Sequence, residues 1–352
     1  MKKIIIIVLV FVCTAAYART TVNLTPADAN FSDIPVLEDS LGKQVQDVTD
    51  KNGKFIANSF ALANMLGYPI GKSSIGHFPH MEAGIALGVA LTNAKYFDDK
   101  AEDGTFPGVM ANPVVHAGFG LAGNFDIIGK LFYFRKSMYD PDIDTDTARL
   151  QDFNFISFGA KLRYNYLKEA TILPFLLSFG GLTFSIGGDI MMGNVDVTGE
   201  YDAEYEDITV TYSSIDYPLS ANLNSTYGAT VSWTVFTLSA QAIAYIDVMY
   251  LFSFYTGFGL ATNLGFFSTD FNGNGQLTTK DPTFTNPSIK PDGLIGTMEF
   301  ESVNSYMPGY VIPTFIFGVE INLFVIKLTA DTMVNLANRS DVTLQGGVRM
   351  QL

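Results

Sequence analysis

Beyond residue 13 the chain has no cysteine, and beyond residue 12 it has no apolar run of the length a membrane helix needs. The first absence rules out a framework of structural disulfides. The second rules out a helical anchor in the mature protein. Charge is scarce as well: 16% of the 352 residues are charged, against roughly a quarter in an ordinary soluble domain. Acids outnumber bases by 35 to 21, and no basic patch is present, which argues against a nucleic-acid partner. There are three histidines and one tryptophan, and no G-x-S-x-G, Walker loop, H-E-x-x-H or acid–His–Ser spacing occurs. Nothing here reads as an enzyme.

What is present is apolar and aromatic. Hydrophobic residues make up 48% of the chain and mean hydropathy is +0.22, with 29 Phe, 17 Tyr and 32 Gly. A hydrophobic chain without a transmembrane helix fits a membrane β-barrel, in which apolar residues fall at every second position. The start reads as a secretory signal: Lys2 and Lys3, the apolar stretch Ile4 to Val12, then Ala16-Tyr17-Ala18 as a cleavage site. Cleavage after Ala18 removes Cys13 and two lysines, so the mature chain is still more acidic. Cys13 as a lipidation site is the rival reading, and Val12 is too bulky for it. The expected location is the cell outer membrane.

Three regions follow: a signal peptide over 1–18, a helical segment over 19–76 and a barrel over 77–352. In the second, Leu41, Val45 and Val48 keep helical spacing behind Ser40, and a longer run from Gly53 to Leu66 carries Phe55, Ile56, Phe60, Ala63 and Leu66. Gly67 stands where a helix would stop. Such a segment can plug the lumen or lie as a periplasmic extension beneath the barrel mouth.

From Met81 the period becomes two. Ile85, Leu87 and Val89 alternate with Gly84, Ala86 and Gly88, and the same pattern recurs downstream. Ten long spans can be placed: 78–91, 113–124, 126–135, 152–166, 180–192, 226–246, 250–262, 306–322, 324–336 and 341–352. With an uncertain piece at Ile208 to Tyr212, this predicts an all-β, transmembrane antiparallel barrel of 10–14 strands. Turns such as Asn124-Phe125-Asp126 are short, whereas 92–112, 136–151, 193–205 and 263–304 read as long polar loops. Tyr133, Phe134, Tyr164, Tyr166, Tyr250, Phe252 and Phe254 gather at strand ends like an interfacial girdle. The last strand ends on Leu352, an apolar terminus of the kind read by the barrel-assembly machinery.

One loop carries metal-ligand spacing. Asp270, Asn272, Asn274, Gln276 and Asp281 occupy positions 1, 3, 5, 7 and 12 of a calcium loop, with Gly275 at its sharp turn. Only two of these ligands are carboxylates, so a flexible Asn-Gly loop is the plainer alternative. Asp196, Glu200, Asp202, Glu204, Glu206 and Asp207 form an acidic run without a base, read as a solvated loop surface or as a cation attractor. His77 and His80 lack a third ligand, and with His116 read as interfacial or lumenal. Lys161 and Asp189 read as ordinary polar residues of the lumen.

The run Leu66-Gly67-Tyr68 through Gly84, the approach Leu173-Pro174-Phe175, the segment Phe254-Tyr255-Thr256-Gly257-Phe258-Gly259 and the closing Gly346-Gly347-Val348 resemble an uncharacterised family of bacterial outer-membrane barrels, loosely similar to the long-chain fatty-acid transporter barrels. An Asn-Pro-Ala motif of the true fatty-acid transporters is absent. The resemblance implies a plugged channel for passive uptake of small or hydrophobic solutes, with outer-membrane lipid and a hydrophobic small molecule as partners. A surface adhesin or structural barrel is the alternative.

Overall fold

The computed structural model describes residues 19–27, 52–70, 75, 80–93, 107–136, 148–167, 170–174, 176–212, 215–279 and 293–352. The signal peptide, the helical expectation around Leu41 to Val48, His77 and Asp281 lie outside the described residues.

The elements in chain order are β1 (Arg19–Pro26), a helix α1 over 52–64, β2 (Met81–Thr92), β3 (Gly108–Gly120), β4 (Phe125–Arg135), β5 (Ala148–Leu167), β6 (Ala170–Leu173), β7 (Leu177–Tyr212), β8 (Ile215–Val248), β9 (Phe252–Thr279), β10 (Leu294–Tyr306), β11 (Val311–Leu323), β12 (Ile326–Asn335) and β13 (Val342–Gln351). Among the described residues, β2, β3, β4, β5, β7, β8, β9, β11, β12 and β13 pair antiparallel in that order, and β13 returns to β2, with Gly346 opposite Leu87. The hydrogen bonds therefore close a ring of ten strands, and each strand covers most of one of the ten expected spans. Closure gives each of the ten ring strands a partner on both sides, the condition a sheet must meet in lipid.

Alternation sets the two faces of the wall. Ile85, Val115, Leu131, Leu162, Ile186, Leu238, Phe258, Phe317, Leu328 and Leu344 point outward and are exposed, one from each ring strand. Such an apolar belt faces acyl chains. At the short-turn end, Phe125 stacks near Tyr164 (ring centroids 4.7 Å apart), Tyr164 near Tyr166, and Tyr166 near Phe184, forming part of the expected girdle.

Two of the expected long loops are strand instead. Residues 193–205 continue β7, and 263–304 are largely β9 and β10, which pair from Thr278 opposite Leu294 down to Phe267 opposite Tyr306. The piece at Ile208 to Tyr212 is the tip of the β7–β8 hairpin.

In these extensions the two faces exchange character. On β8 the outward residues Phe236, Leu238 and Ile246 give way to Asn224, Thr226, Thr230 and Ser232, while the inward residues change from Gln241, Ser239 and Thr237 to Val235, Trp233, Val231 and Tyr227. β7 switches at Met191, and β9 switches where Phe266 is followed by Ser268 and Asp270 on the outer face. A belt of apolar exterior around a polar lumen is thus continued by a protrusion with an apolar interior and a polar exterior. The switch marks the membrane boundary. At that level β10 carries β1 on its other edge, with Arg19 opposite Val303 and Pro26 opposite Gly296.

Candidate functional site: the occupied lumen

The helix α1 runs inside the ring. Its first turns carry Ile56 and Phe60, which enter the apolar interior of the protrusion: the Phe60 ring lies 4.7 Å from Trp233 and 5.4 Å from Phe267, centroid to centroid. Near its start, the Phe55 carbonyl accepts from Thr92 Oγ1 (2.6 Å), and Asn58 Oδ1 accepts from the Gly309 N–H (2.7 Å). Its last turn meets polar wall. Asn64 Nδ2 donates to the Asp189 and Val235 carbonyls and to Thr237 Oγ1, at 3.0–3.2 Å. Contacts with β2, β3 and β4 on one side and β7, β8 and β9 on the other put the segment across the whole lumen.

The helix ends where the sequence placed its stop. Met65 and Leu66 tighten onto the Leu62 and Ala63 carbonyls, and Gly67 follows with φ +100, a backbone conformation that suits glycine. The unpaired carbonyls of a helix C-terminus need donors. Lys130 of β4 supplies them: its ammonium donates to the carbonyls of Asn64 and Leu66, and it pairs with Asp189 Oδ1 at 2.9 Å. Gln345 of β13 grips the next residues, accepting from the Gly67 N–H and donating to the Tyr68 carbonyl at 2.8 Å. Gly88 makes room for the segment, since a Cβ there would stand 2.6 Å from Leu66 Cβ.

Below this lies a buried charge network. Arg349 donates to Glu82 and to Glu320, each at 2.7 Å. Arg163 stands 3.6 Å from both Glu82 and Asp126, and Lys327 3.7 Å from Glu320. Within this network, among the described residues, three acids meet three bases. The chain leaves through it: Ile75 donates its N–H to Asp126, and its carbonyl accepts from Gln351. His116 is a lumenal residue, 2% exposed, with neither ring nitrogen hydrogen-bonded among the described residues.

The calcium spacing lies on a strand as far as Gln276, and its closing position, Asp281, falls outside the described residues. Asp270, Asn272, Asn274 and Gln276 are successive outward positions on β9, and Gly275 makes no turn. Same-face neighbours on a strand stand about 7 Å apart, whereas calcium ligands converge to about 2.4 Å from one point. Asn274 instead accepts a hydrogen bond from Thr226 Oγ1 at 2.6 Å. The structure brings together other residues: Lys161 and Asp189, read as ordinary lumenal residues, meet Lys130, Tyr68 and Asn64. Period-two alternation pointed each wall residue inward, but no signal paired it with a segment 121 positions away.

No curated protein matches the chain. Among solved structures it is similar to the translocator domain of the autotransporter NalP from Neisseria meningitidis, with 8% identity over 92% of this chain and 99% of that one at a TM-score of 0.27. It is also similar to the transport unit of the Escherichia coli autotransporter AIDA-I, with 11% identity over 85% of this chain and 98% of that one (TM-score 0.22). A third likeness is the Pseudomonas putida toluene transporter TodX, with 10% identity over 84% and 92% (TM-score 0.20). The barrel itself rests on the ring of hydrogen bonds. A family model does match, and it is not that of the fatty-acid transporters: it is described as Lsa36-like and runs from residue 15 to 351. Lumenal segment, wall and protrusion all fall within that match, and the chain belongs to the Lsa36-like family.

Proposed function

We propose that this protein is a plugged outer-membrane channel that passes small or hydrophobic solutes passively, with residues 52–70 and Ile75 in the plug. One observation carries the reading: this segment runs through the ring from the loop end, where Phe55 meets Thr92, to the turn end, where Ile75 meets Asp126 and Gln351. A solute entering from outside meets the apolar interior of the protrusion first and the polar lumen second. The apolar belt, in contact with outer-membrane lipid, and the closed ring support the location. A closed ring of this kind is delivered by the barrel-assembly machinery.

Conductance in planar bilayers tests it. The intact chain should be nearly silent, and deletion of residues 19–76 should give a stable open channel of uniform size. Equal silence from both would remove the channel reading. It would favour instead a surface contact protein, for which the protrusion offers a polar outer face. Asp196, Glu200, Asp202, Asp270, Glu299 and Glu301 point outward there, and a groove of about 530 Å3 runs between Glu200, Asp202, Asn224, Asn274 and Glu299.

A further inference from the structure

Tyr68 sits in a buried slot of the barrel wall, in one cluster with Ile128 of β4 and with Ile75 of its own segment. It is 2% exposed, and its hydroxyl donates to Asp189 Oδ1 at 2.7 Å. The ammonium of Lys130 lies 4.7 Å from its ring centroid and that of Lys161 4.4 Å, both within cation–π reach. Lys161 is held by Gln241 Oε1 at 3.0 Å. Gly159 leaves the space for the phenol head, because a Cβ there would stand 2.6 Å from the Tyr68 hydroxyl oxygen and 2.1 Å from Asp189 Oδ1. Asp189 Oδ2 is buried with no hydrogen-bond partner among the described residues, so the slot keeps an acceptor that Tyr68 does not use. β4, β5, β7 and β8 supply the recognition, and the plug supplies only the ring and its hydroxyl.

We propose that Lys130, Lys161, Asp189 and Gly159 form a binding site for small phenols, and that Tyr68 occupies it as a tethered stand-in for such a solute. The chemistry selects the class. An aromatic hydrocarbon leaves Asp189 Oδ1 with Lys130 alone and takes away the hydroxyl donor, a benzoate meets the Asp189 carboxylate, and an anilinium meets two ammonium groups. Of these four, a neutral ring with a hydroxyl is the one that satisfies all three wall charges. The inference rests on the plugged-channel reading for its consequence: a phenol that takes the slot removes one anchor of the plug beside the carbonyls that Lys130 holds.

The test uses the full-length protein carrying Tyr68→Ala, with p-cresol as probe and toluene as the same shape without the hydroxyl. p-Cresol should raise the temperature at which the variant loses its heat-modifiable mobility, with a Kd at least tenfold below that of toluene. Adding Asp189→Asn should abolish that preference. Equal binding of the two probes, or no binding of p-cresol, overturns the proposal. Tyr68→Phe gives a second reading should the alanine variant not assemble. It keeps the ring and loses the hydroxyl, so p-cresol should expose the plug to added protease at several-fold lower concentration than in the wild type, and equal concentrations would refute the site. p-Cresol binding to Tyr68→Ala together with a silent plug-deleted barrel would leave the site standing and remove the channel.

Discussion

Replacing Arg349 by Met should be the most damaging single substitution in the lumen. Arg349 is 2% exposed and holds two carboxylates at 2.7 Å, Glu82 of β2 and Glu320 of β11. Its own strand, β13, lies between β2 and β12, so one guanidinium ties β13 to β2 on one side and, across β12, to β11 on the other. Methionine keeps much of the volume and removes the charge. Both carboxylates then remain buried with Arg163 and Lys327 as the bases near them among the described residues, at 3.6 and 3.7 Å. Breaking a buried pair in this way costs about 3–5 kcal/mol, chiefly from the charge left uncompensated. The expected readout is a marked fall in the temperature at which the folded barrel loses its gel mobility. Glu82→Gln and Glu320→Gln in the same chain should restore most of the loss, because they remove the orphaned charges. If Arg349→Met alone melts like the wild type, the network does not bear on barrel stability.

Lys130→Met should loosen the plug rather than the barrel. An ammonium has three donors, and Lys130 directs them at the Asn64 carbonyl, the Leu66 carbonyl and Asp189. Two of the three hold the end of α1. Hydrogen bonds from a charged donor contribute about 1.5–3 kcal/mol each, and every 1.4 kcal/mol is a factor of ten in population. Losing both should raise the plug-displaced fraction on the order of 10²–10⁴-fold, measured as open probability in bilayers and as cleavage within 52–70 by added protease. Lys161→Met, which removes no bond to a helix carbonyl, should have a smaller effect on both. Similar open probability in the two variants would mean that the helix end is not held by Lys130.

The wall was legible from period-two alternation, because a strand with lipid on one face and lumen on the other must alternate in polarity. Ile85, Leu87 and Val89 against Glu82, Gly84 and Gly88 already declared both faces of β2. The protrusion was misread for a related reason. Val195 and Val197 still alternate with Asn194, Asp196 and Thr198, but the polar set is dense in acid and points outward, so the stretch has the composition of a loop. On β9, Asn272-Gly273-Asn274-Gly275 has turn residues, yet the ladders to β8 and β10 hold it extended. Tertiary pairing overrides local turn preference there. The helix 52–64 was readable from its 3.6 period and from Gly67. Its partners were not, because hydrogen bonds such as Asn64 to Thr237 and Gly67 to Gln345 join residues 173 and 278 positions apart. The lumenal charges were half visible: Glu82 and Arg163 of the network, and Lys161 and Asp189 beside Tyr68, fall on inward positions of their strands, while their mutual distances depend on the order of strands around the ring.

The central claim, that residues 52–70 fill the lumen of the native barrel, is tested most directly by a disulfide between Leu66→Cys and Gly88→Cys. The mature chain expected after signal removal contains no other cysteine. A Cβ at residue 88 stands 2.6 Å from that of residue 66, and about 1 Å of give brings the pair to the usual disulfide separation near 3.8 Å. In oxidised, intact membranes the bond should form in nearly all folded molecules, and it should hold the channel closed even when Lys130→Met is added, until a reductant opens it. Two free, reagent-accessible thiols in fully folded barrels under the same oxidant would contradict the account.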